Sequence, residues 1–454
     1  MMPVRLKNFA RQLLLLAPVS ILTGTVIAIF LYLLNWAIHF RFAHTWLLYL
    51  LPAAGLLIYL IYTLYARNTE KGNNLIIEEI HAPGAGIPKR MAPVILLTTV
   101  ITHLFGGSAG REGTAVQIGG SIAAMFGKWF KLNKNDTALL LTAGIAAGFG
   151  AVFGTPLTGA FFAIEVLTLG RMNFSAFIPA LAASFLADFT VHITGAHHTV
   201  YRIDEIGTAT LPAMLYLQDL FLLLLKVITA AAAFGLASLL FTKLTDTIKF
   251  TANKLVPVKW LIPVLGALVI ILLTLINGKP DYLSLGVDAE YPLAVTIPSS
   301  FHTAGADTWS WLWKTIYTAF TLGTGFKGGE VTPLFYIGAT LGNTLAALLN
   351  APVSLFAALG FVAVFAGATK TPLACTIMGA ELFGIHYIAL FGLACFIAYF
   401  CSGHAGIYAA QTAADPKDYG GDNPSADPQS CKSRVRNYSR SKFEKYSYRV
   451  IKMK

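Results

Sequence analysis

The residues best placed to do chemistry are Gly106-Gly107-Ser108-Ala109-Gly110-Arg111-Glu112-Gly113-Thr114, which lead directly into an apolar stretch at 115–126. Glycines remove side chains, so backbone N–H groups can face a cavity. The first turn of the helix that follows leaves N–H donors unpaired and carries the positive end of the helix dipole. Gly110, Arg111 and their neighbours would then form an anion site built from neutral donors. Glu112 falls inside that first turn, and its carboxylate can fill the site as a competing anion. Desolvation favours the neutral acid, whereas the helix start favours the anion. A group balanced between the two can take a proton, swing away and open the path. The plainer reading is a glutamate that only complements the dipole.

Three further stretches offer donors. Gly325-Phe326-Lys327-Gly328-Gly329-Glu330-Val331-Thr332-Pro333 is a second Gly turn with an early Pro that starts a helix. The N–H groups at Val331 and Thr332 can face the same cavity, and Glu330 reads either as a proton-pathway group or as a dipole-stabilised carboxylate. Lys71-Gly72-Asn73-Asn74-Leu75 supplies the amide donors of Asn73, although composition alone favours a solvated loop cap. Tyr408 supplies a hydroxyl at the end of the last apolar segment, although a belt tyrosine at the membrane interface is the default. Cys375, Cys395, Cys401 and Cys431 lack metal spacing. His192, His197 and His198 lack it too, so no metal or other cofactor is expected.

The elements that must position these residues are membrane helices. The chain has 454 residues, of which 56% are hydrophobic and only 12% charged, with a mean hydropathy of +0.65. A soluble domain carries roughly 25% charged residues, so a water-soluble globular fold is excluded, as are a disordered chain and a disulfide scaffold. The apolar residues come in long runs rather than short alternating strands, which argues for an all-α polytopic membrane protein over a β-barrel. The net charge is +11, of which the residues after 410 carry +5, with ten Lys/Arg against five Asp/Glu. The positive-inside rule explains this balance better than nucleic-acid binding does. Arg5, Lys7 and Arg11 precede a run at 13–38, and the next run, 46–65, returns to Arg67 and Lys71. The N-terminus is therefore expected in the cytoplasm, and the first run reads as a retained helix rather than a cleaved signal.

Beyond 70 the pattern changes. Apolar stretches at 92–105, 115–130, 138–150, 155–169 and 175–195 are cut by Gly, Pro or Thr-Pro. Two long spans, 211–241 and 258–277, precede another short series at 311–323, 333–349, 353–368, 371–383 and 386–401. Most are shorter than the ~20 residues that a hydrocarbon core demands. Broken or tilted helices at membrane depth are tolerated where they are buried in protein or line a cavity. An internal repeat is visible. Thr155-Pro156-Leu157 precedes Glu165, Thr371-Pro372-Leu373 precedes Glu381, and a Gly-rich turn lies upstream of each. The expected organisation is a transport domain over 1–410, with a first repeat at about 70–205 and a second at about 258–410. A polar and basic cytoplasmic tail, 411–454, follows.

Together these motifs resemble the CLC chloride channel and transporter family over about residues 10–410. GREGT at 110–114, followed by VQIGG at 116–120, is similar to the family's GREGP element and places Glu112 on its gating glutamate. FGTPLTGAFFAIE at 153–165 is similar to the helix that follows. GEVTP at 329–333 stands where the family has GxFxP, Gly72-Asn73-Asn74 where it has GSGIP, and Tyr408 at its central tyrosine. The resemblance implies two inverted-topology repeats of short, broken or tilted helices, and a homodimer with one pore per subunit.

The departures from the family pattern point within it. Asn73 replaces the central serine, Thr114 replaces the proline, and GxFxP reads GEVTP, where the resemblance implies Glu330 and Thr332 as the site-lining residues of the second repeat. This combination resembles the fluoride-selective CLC-F branch. It implies a fluoride/proton antiporter in the cell membrane, giving fluoride export, with the bilayer, fluoride and protons as partners and no enzymatic activity. The resemblance puts the internal proton glutamate of chloride/proton exchangers near His192 and Ile193, where no acid stands. A chloride/proton exchanger or passive chloride channel of the same fold is the alternative. A remote one is an intramembrane serine protease, because Gly106-Gly107-Ser108-Ala109-Gly110 satisfies G-x-S-x-G, with His192 as a candidate base.

Overall fold

A computed structural model describes residues 4–84, 86–196, 198–203 and 213–413, with the side chains of those from 15 to 412 except at 213–218. The expected tail beyond 413, with Cys431, lies outside the described residues, as do His197 and the side chains of Arg5, Lys7 and Arg11. Fifteen α-helices are described, and residues up to Thr412 form one compact unit.

Two long helices follow directly from the uninterrupted apolar runs: α1 (Val4–Ala43), and α2 (Leu51–Tyr65) with a 3-10 turn, Thr45–Leu50, leading into it. After them come α3 (Asn73–His81), α4 (Met91–Leu104), α5 (Glu112–Trp129), α6 (Lys134–Phe153), α7 (Pro156–Glu165) and α8 (Phe177–Ile193). The longest described helix, α9 (Ala213–Leu255), precedes α10 (Leu261–Asn277), α11 (Ser310–Gly323), α12 (Val331–Leu349), α13 (Val353–Thr369), α14 (Pro372–Phe383) and α15 (Ile388–Cys401). Six described helices or helical runs are long and apolar enough to cross a membrane. Three of them, α6, α8 and α12, fall in the series expected as short pieces, whereas α10, expected as a long span, has 17 residues. Polar first-turn residues lengthen α6, where Asn133 accepts the Asp136 N–H as a helix cap. α9 continues well past 241 through a Lys- and Thr-rich end that outruns its apolar stretch.

Local chemistry sets the breaks. α6 ends on Gly154 and α10 on Gly278, both left-handed, as glycine allows at no steric cost. Pro156 and Pro372 open α7 and α14, where the missing N–H would be unpaired anyway.

The two halves are packed in the same way. A Cβ on Gly119 would stand 2.0 Å from the Gly144 carbonyl, so the α5 and α6 backbones touch. In the second half Gly338 and Gly360 make the matching contact between α12 and α13, also at 2.0 Å. In lipid, helix association rests on such close packing rather than on the hydrophobic effect. Within the second half Phe335 stacks on Phe361 at 3.9 Å, within the first Phe149 stacks on Phe162 at 4.3 Å, and between the halves Phe153 meets Phe335 at 5.3 Å and Phe162 meets Phe365 at 6.0 Å.

The repeated Thr-Pro-Leu motifs are interlocked. Glu165 accepts the N–H groups of Leu373 and Ala374 at 3.0 and 2.7 Å, at the start of α14. Glu381 accepts those of Leu157 and Thr158 at 2.9 and 2.8 Å, at the start of α7. Each motif's glutamate therefore satisfies the unpaired donors of the other's helix. Thr155 and Thr371 make no capping bond of their own.

Candidate functional site

The two Gly turns meet as an antiparallel bridge. The Gly110 N–H donates to the Gly329 carbonyl at 2.6 Å, and the Gly329 N–H donates to that of Gly110 at 2.7 Å. This bridge places the starts of α5 and α12 side by side, so both positive helix ends face one point. The Gly110 N–H is used by the bridge and is not a free donor in this state.

The carboxylate of Glu112 fills that point and is 1% exposed. Its Oε2 accepts the N–H of Arg111 at 3.0 Å and the N–H of Thr332 at 3.0 Å. Its Oε1 accepts the Thr332 hydroxyl in a short hydrogen bond. The guanidinium of Arg111 stands off, with Nε 3.8 Å from Oε1 and without a hydrogen-bond partner. Three donors converge on this buried carboxylate. The same donors have the geometry to hold a monovalent anion in the carboxylate's place. Val331, 1% exposed, opens α12 beside them.

Asn73 and Glu330 converge beside Gly113, next to this seat. A Cβ on Gly113 would lie 3.2 Å from Asn73 Nδ2, 3.7 Å from Glu330 Oε2 and 3.1 Å from the Gly329 Cα. Only glycine leaves those groups room to converge. Asn73 is the first residue of α3 and follows Gly72, whose φ of +57° suits glycine. Its Oδ1 is buried without a partner. Asn74, its neighbour, is the residue that works as a tie, accepting the Ala410 N–H at 2.9 Å. That bond brings the Tyr408 segment to the start of α3. The segment is fastened further by Gln411, which donates to the Val166 and Thr369 carbonyls, and by the Ile407 N–H on the Ala368 carbonyl. Tyr408 is buried edge-on to Phe162 at 6.4 Å.

Sequence reasoning passed over Gln117, a buried amide whose Nε2 would lie 3.2 Å from a Cβ on Gly72. Its place in VQIGG, five residues after Glu112, was the available signal. The protease geometry is not formed. Ser108 is fully buried and bonded to the Thr318 hydroxyl at 2.9 Å, while His192 is exposed at the end of α8. An acid does stand one turn before His192: Asp188, 3.9 Å from His198.

The sequence model of the voltage-gated chloride channel family matches residues 54–403. The chain belongs to that family. Among its relatives, a "Chloride/fluoride channel protein" of Pseudomonas syringae pv. tomato is 44% identical over 417 residues, covering 91% of this chain and 89% of that one. An "H(+)/Cl(-) exchange transporter ClcA" of Vibrio cholerae is 25% identical over 337 residues, 68% of each chain. Among solved structures, a CLC-type fluoride/proton antiporter superposes with a TM-score of 0.81 at 34% identity, over 89% of this chain and 98% of that one. A slow cyanobacterial Cl−/H+ antiporter superposes with a TM-score of 0.69 at 19% identity, a likeness of fold. The CLC fold expected from the motifs is the fold of this membrane protein. The matched region holds every site residue named above except Tyr408, which falls just beyond it.

Proposed function

We propose that this chain exchanges fluoride for protons across the membrane and so exports fluoride. The observation that carries the reading is the carboxylate of Glu112 seated on the Arg111 N–H and on the N–H and hydroxyl of Thr332. An acid on the anion's own seat couples the two ions, because protonation empties the seat and anion entry keeps the acid away from it. Fluoride holds its water more tightly than chloride, so its site needs several close donors. Asn73, Thr332 and Tyr408 supply an amide and two hydroxyls, with Gly110, Arg111 and Val331 as the backbone around them. Glu330 serves as the second proton-carrying group. The resemblance to a chloride/fluoride channel protein and to a fluoride/proton antiporter supports this choice. The repeats at about 70–205 and 258–410, the homodimer, the cell membrane, the cytoplasmic N-terminus and the absence of enzymatic activity belong to the same proposal.

Chloride/proton exchange or passive chloride conduction is the second reading, favoured by the relation to the exchange transporter of Vibrio cholerae. The deciding experiment uses purified protein in liposomes, with fluoride or chloride gradients and a pH electrode. Fluoride efflux accompanied by proton uptake is expected. Chloride flux equal to fluoride flux overturns the selectivity, and fluoride flux without proton movement overturns the exchange.

A further inference from the structure

The end of α5 opposite Glu112 carries a feature that ion exchange does not use. Lys89, Met125, Lys128 and Trp129 line a cavity of about 380 Å³. Arg90 adjoins it in sequence, Lys131 stands on the turn between α5 and α6, and Lys134 opens α6. All five of these cations are exposed, and among the described residues none of them pairs with a carboxylate. Other cations in the protein do pair: Lys71 with Glu78, Arg41 with Glu290 and Lys279 with Asp307. The nearby acids are already engaged. Glu79 accepts the N–H groups of Gly84 and Gly86, both at 2.9 Å, and Asp136 is bonded to Asn133. Of the five cations only Lys128 reaches a carbonyl, that of Ile87 at 3.5 Å.

The backbone adds a second observation. Lys131 sits at φ +51°, a left-handed position that favours glycine. A charged side chain is kept there at a conformational cost. Trp129 is 72% exposed and Phe130 41% exposed beside the cations, with their rings stacked at 6.3 Å. Exposed Trp and Phe next to a row of Lys and Arg mark the level where a membrane helix leaves the acyl chains and meets the headgroups. Trp129 is 17 residues along α5 from Glu112, a rise of about 25 Å, which fits a helix running from mid-membrane to the interface.

We propose that this cavity binds the phosphodiester headgroup of an anionic phospholipid. Lys89 and Lys128 grip the phosphate, Arg90, Lys131 and Lys134 supply the surrounding field, and Trp129 packs on the glycerol and upper acyl chain. The occupant is a lipid rather than a soluble phosphate because the exposed aromatic wall needs an apolar partner and faces the bilayer level.

The test uses the full chain in phosphatidylcholine vesicles containing either brominated phosphatidylglycerol or brominated phosphatidylcholine at equal mole fraction. The chain has 7 Trp, so the signal of Trp129 is taken as the difference between wild type and Trp129→Phe. Brominated phosphatidylglycerol is expected to quench that difference at a concentration on the order of tenfold lower than the neutral lipid does. Lys89→Gln combined with Lys128→Gln abolishes the preference, while Lys128→Arg retains it. Fluoride flux in these variants shows that they are folded. Equal quenching by both lipids overturns the proposal. Reversal of quenching by millimolar glycerol phosphate in the buffer overturns the assignment to lipid.

Discussion

Protonating Glu112 removes the charge on which the Arg111 and Thr332 N–H groups converge, so the side chain loses its hold on the shared helix ends. Glu112→Gln presents the neutral form at every pH. Proton-coupled turnover in liposomes is expected to fall at least about a hundredfold, the scale of removing an essential proton carrier. Turnover equal to wild type would remove Glu112 from its role. Gly113 gives a second test, because a Cβ there lies 3.2 Å from Asn73 Nδ2 and 3.1 Å from the Gly329 Cα. Gly113→Ala should reach the membrane folded yet carry little fluoride. Normal flux in that variant would show that the path lies elsewhere. The types of these residues were legible in the chain: a carboxylate at a helix start, a Gly turn, an amide. The use of each atom was not. Gly110 spends its N–H on Gly329, and Asn74, not Asn73, ties down the Tyr408 segment. Both facts depend on partners hundreds of residues away, which no local pattern encodes.

The short helices at the centre depend on caps supplied from a distance. Each of Glu165 and Glu381 satisfies two N–H donors at the start of the opposite helix, and Glu381 also accepts the Thr158 hydroxyl at 2.6 Å. Glu165→Ala leaves the Leu373 and Ala374 N–H groups unpaired in a buried place. A loss of about 3 kcal/mol is expected, read as a lower midpoint of thermal unfolding in detergent, with Glu381→Ala close behind. If neither variant shifts that midpoint, the interlock is not a stabilising element. The glycine crossings are stricter still. Gly119→Ala and Gly338→Ala each push a Cβ to 2.0 Å from a facing carbonyl, and neither variant should yield folded protein. The repeat itself was readable, since Thr-Pro-Leu and a later Glu recur in order. Its reciprocity was hidden, because sequence order shows that two motifs match but not that each completes the other. The lengths of α6 and α12 were also underestimated by the apolar runs 138–150 and 333–349, which leave out first-turn residues of both helices but do include their interior glycines. In these helices they are contact points at which another backbone approaches.

At the scale of the molecule, composition alone established a membrane protein, and the paired Gly turns established where its halves meet. What composition could not establish is how many chains build one path. The structure supplies the geometry for an answer: Glu112, Thr332, Asn73, Glu330 and Tyr408 all come from one chain and are held by bonds within it. The Glu112 seat draws all three of its donors, from Arg111 and Thr332, from the same chain. In the proposed homodimer each subunit therefore carries its own ions, and damage in one path leaves the other intact. Wild-type chains and Glu112→Gln chains carrying distinguishable tags can be purified as a mixed dimer and reconstituted at low protein density. Such dimers are expected to move fluoride at about half the rate of wild-type dimers, with unchanged proton coupling, since independent sites contribute additively. A mixed dimer as inactive as the double variant would mean that the two paths turn over together. The coupling would then run across the subunit interface rather than within the Glu112 seat.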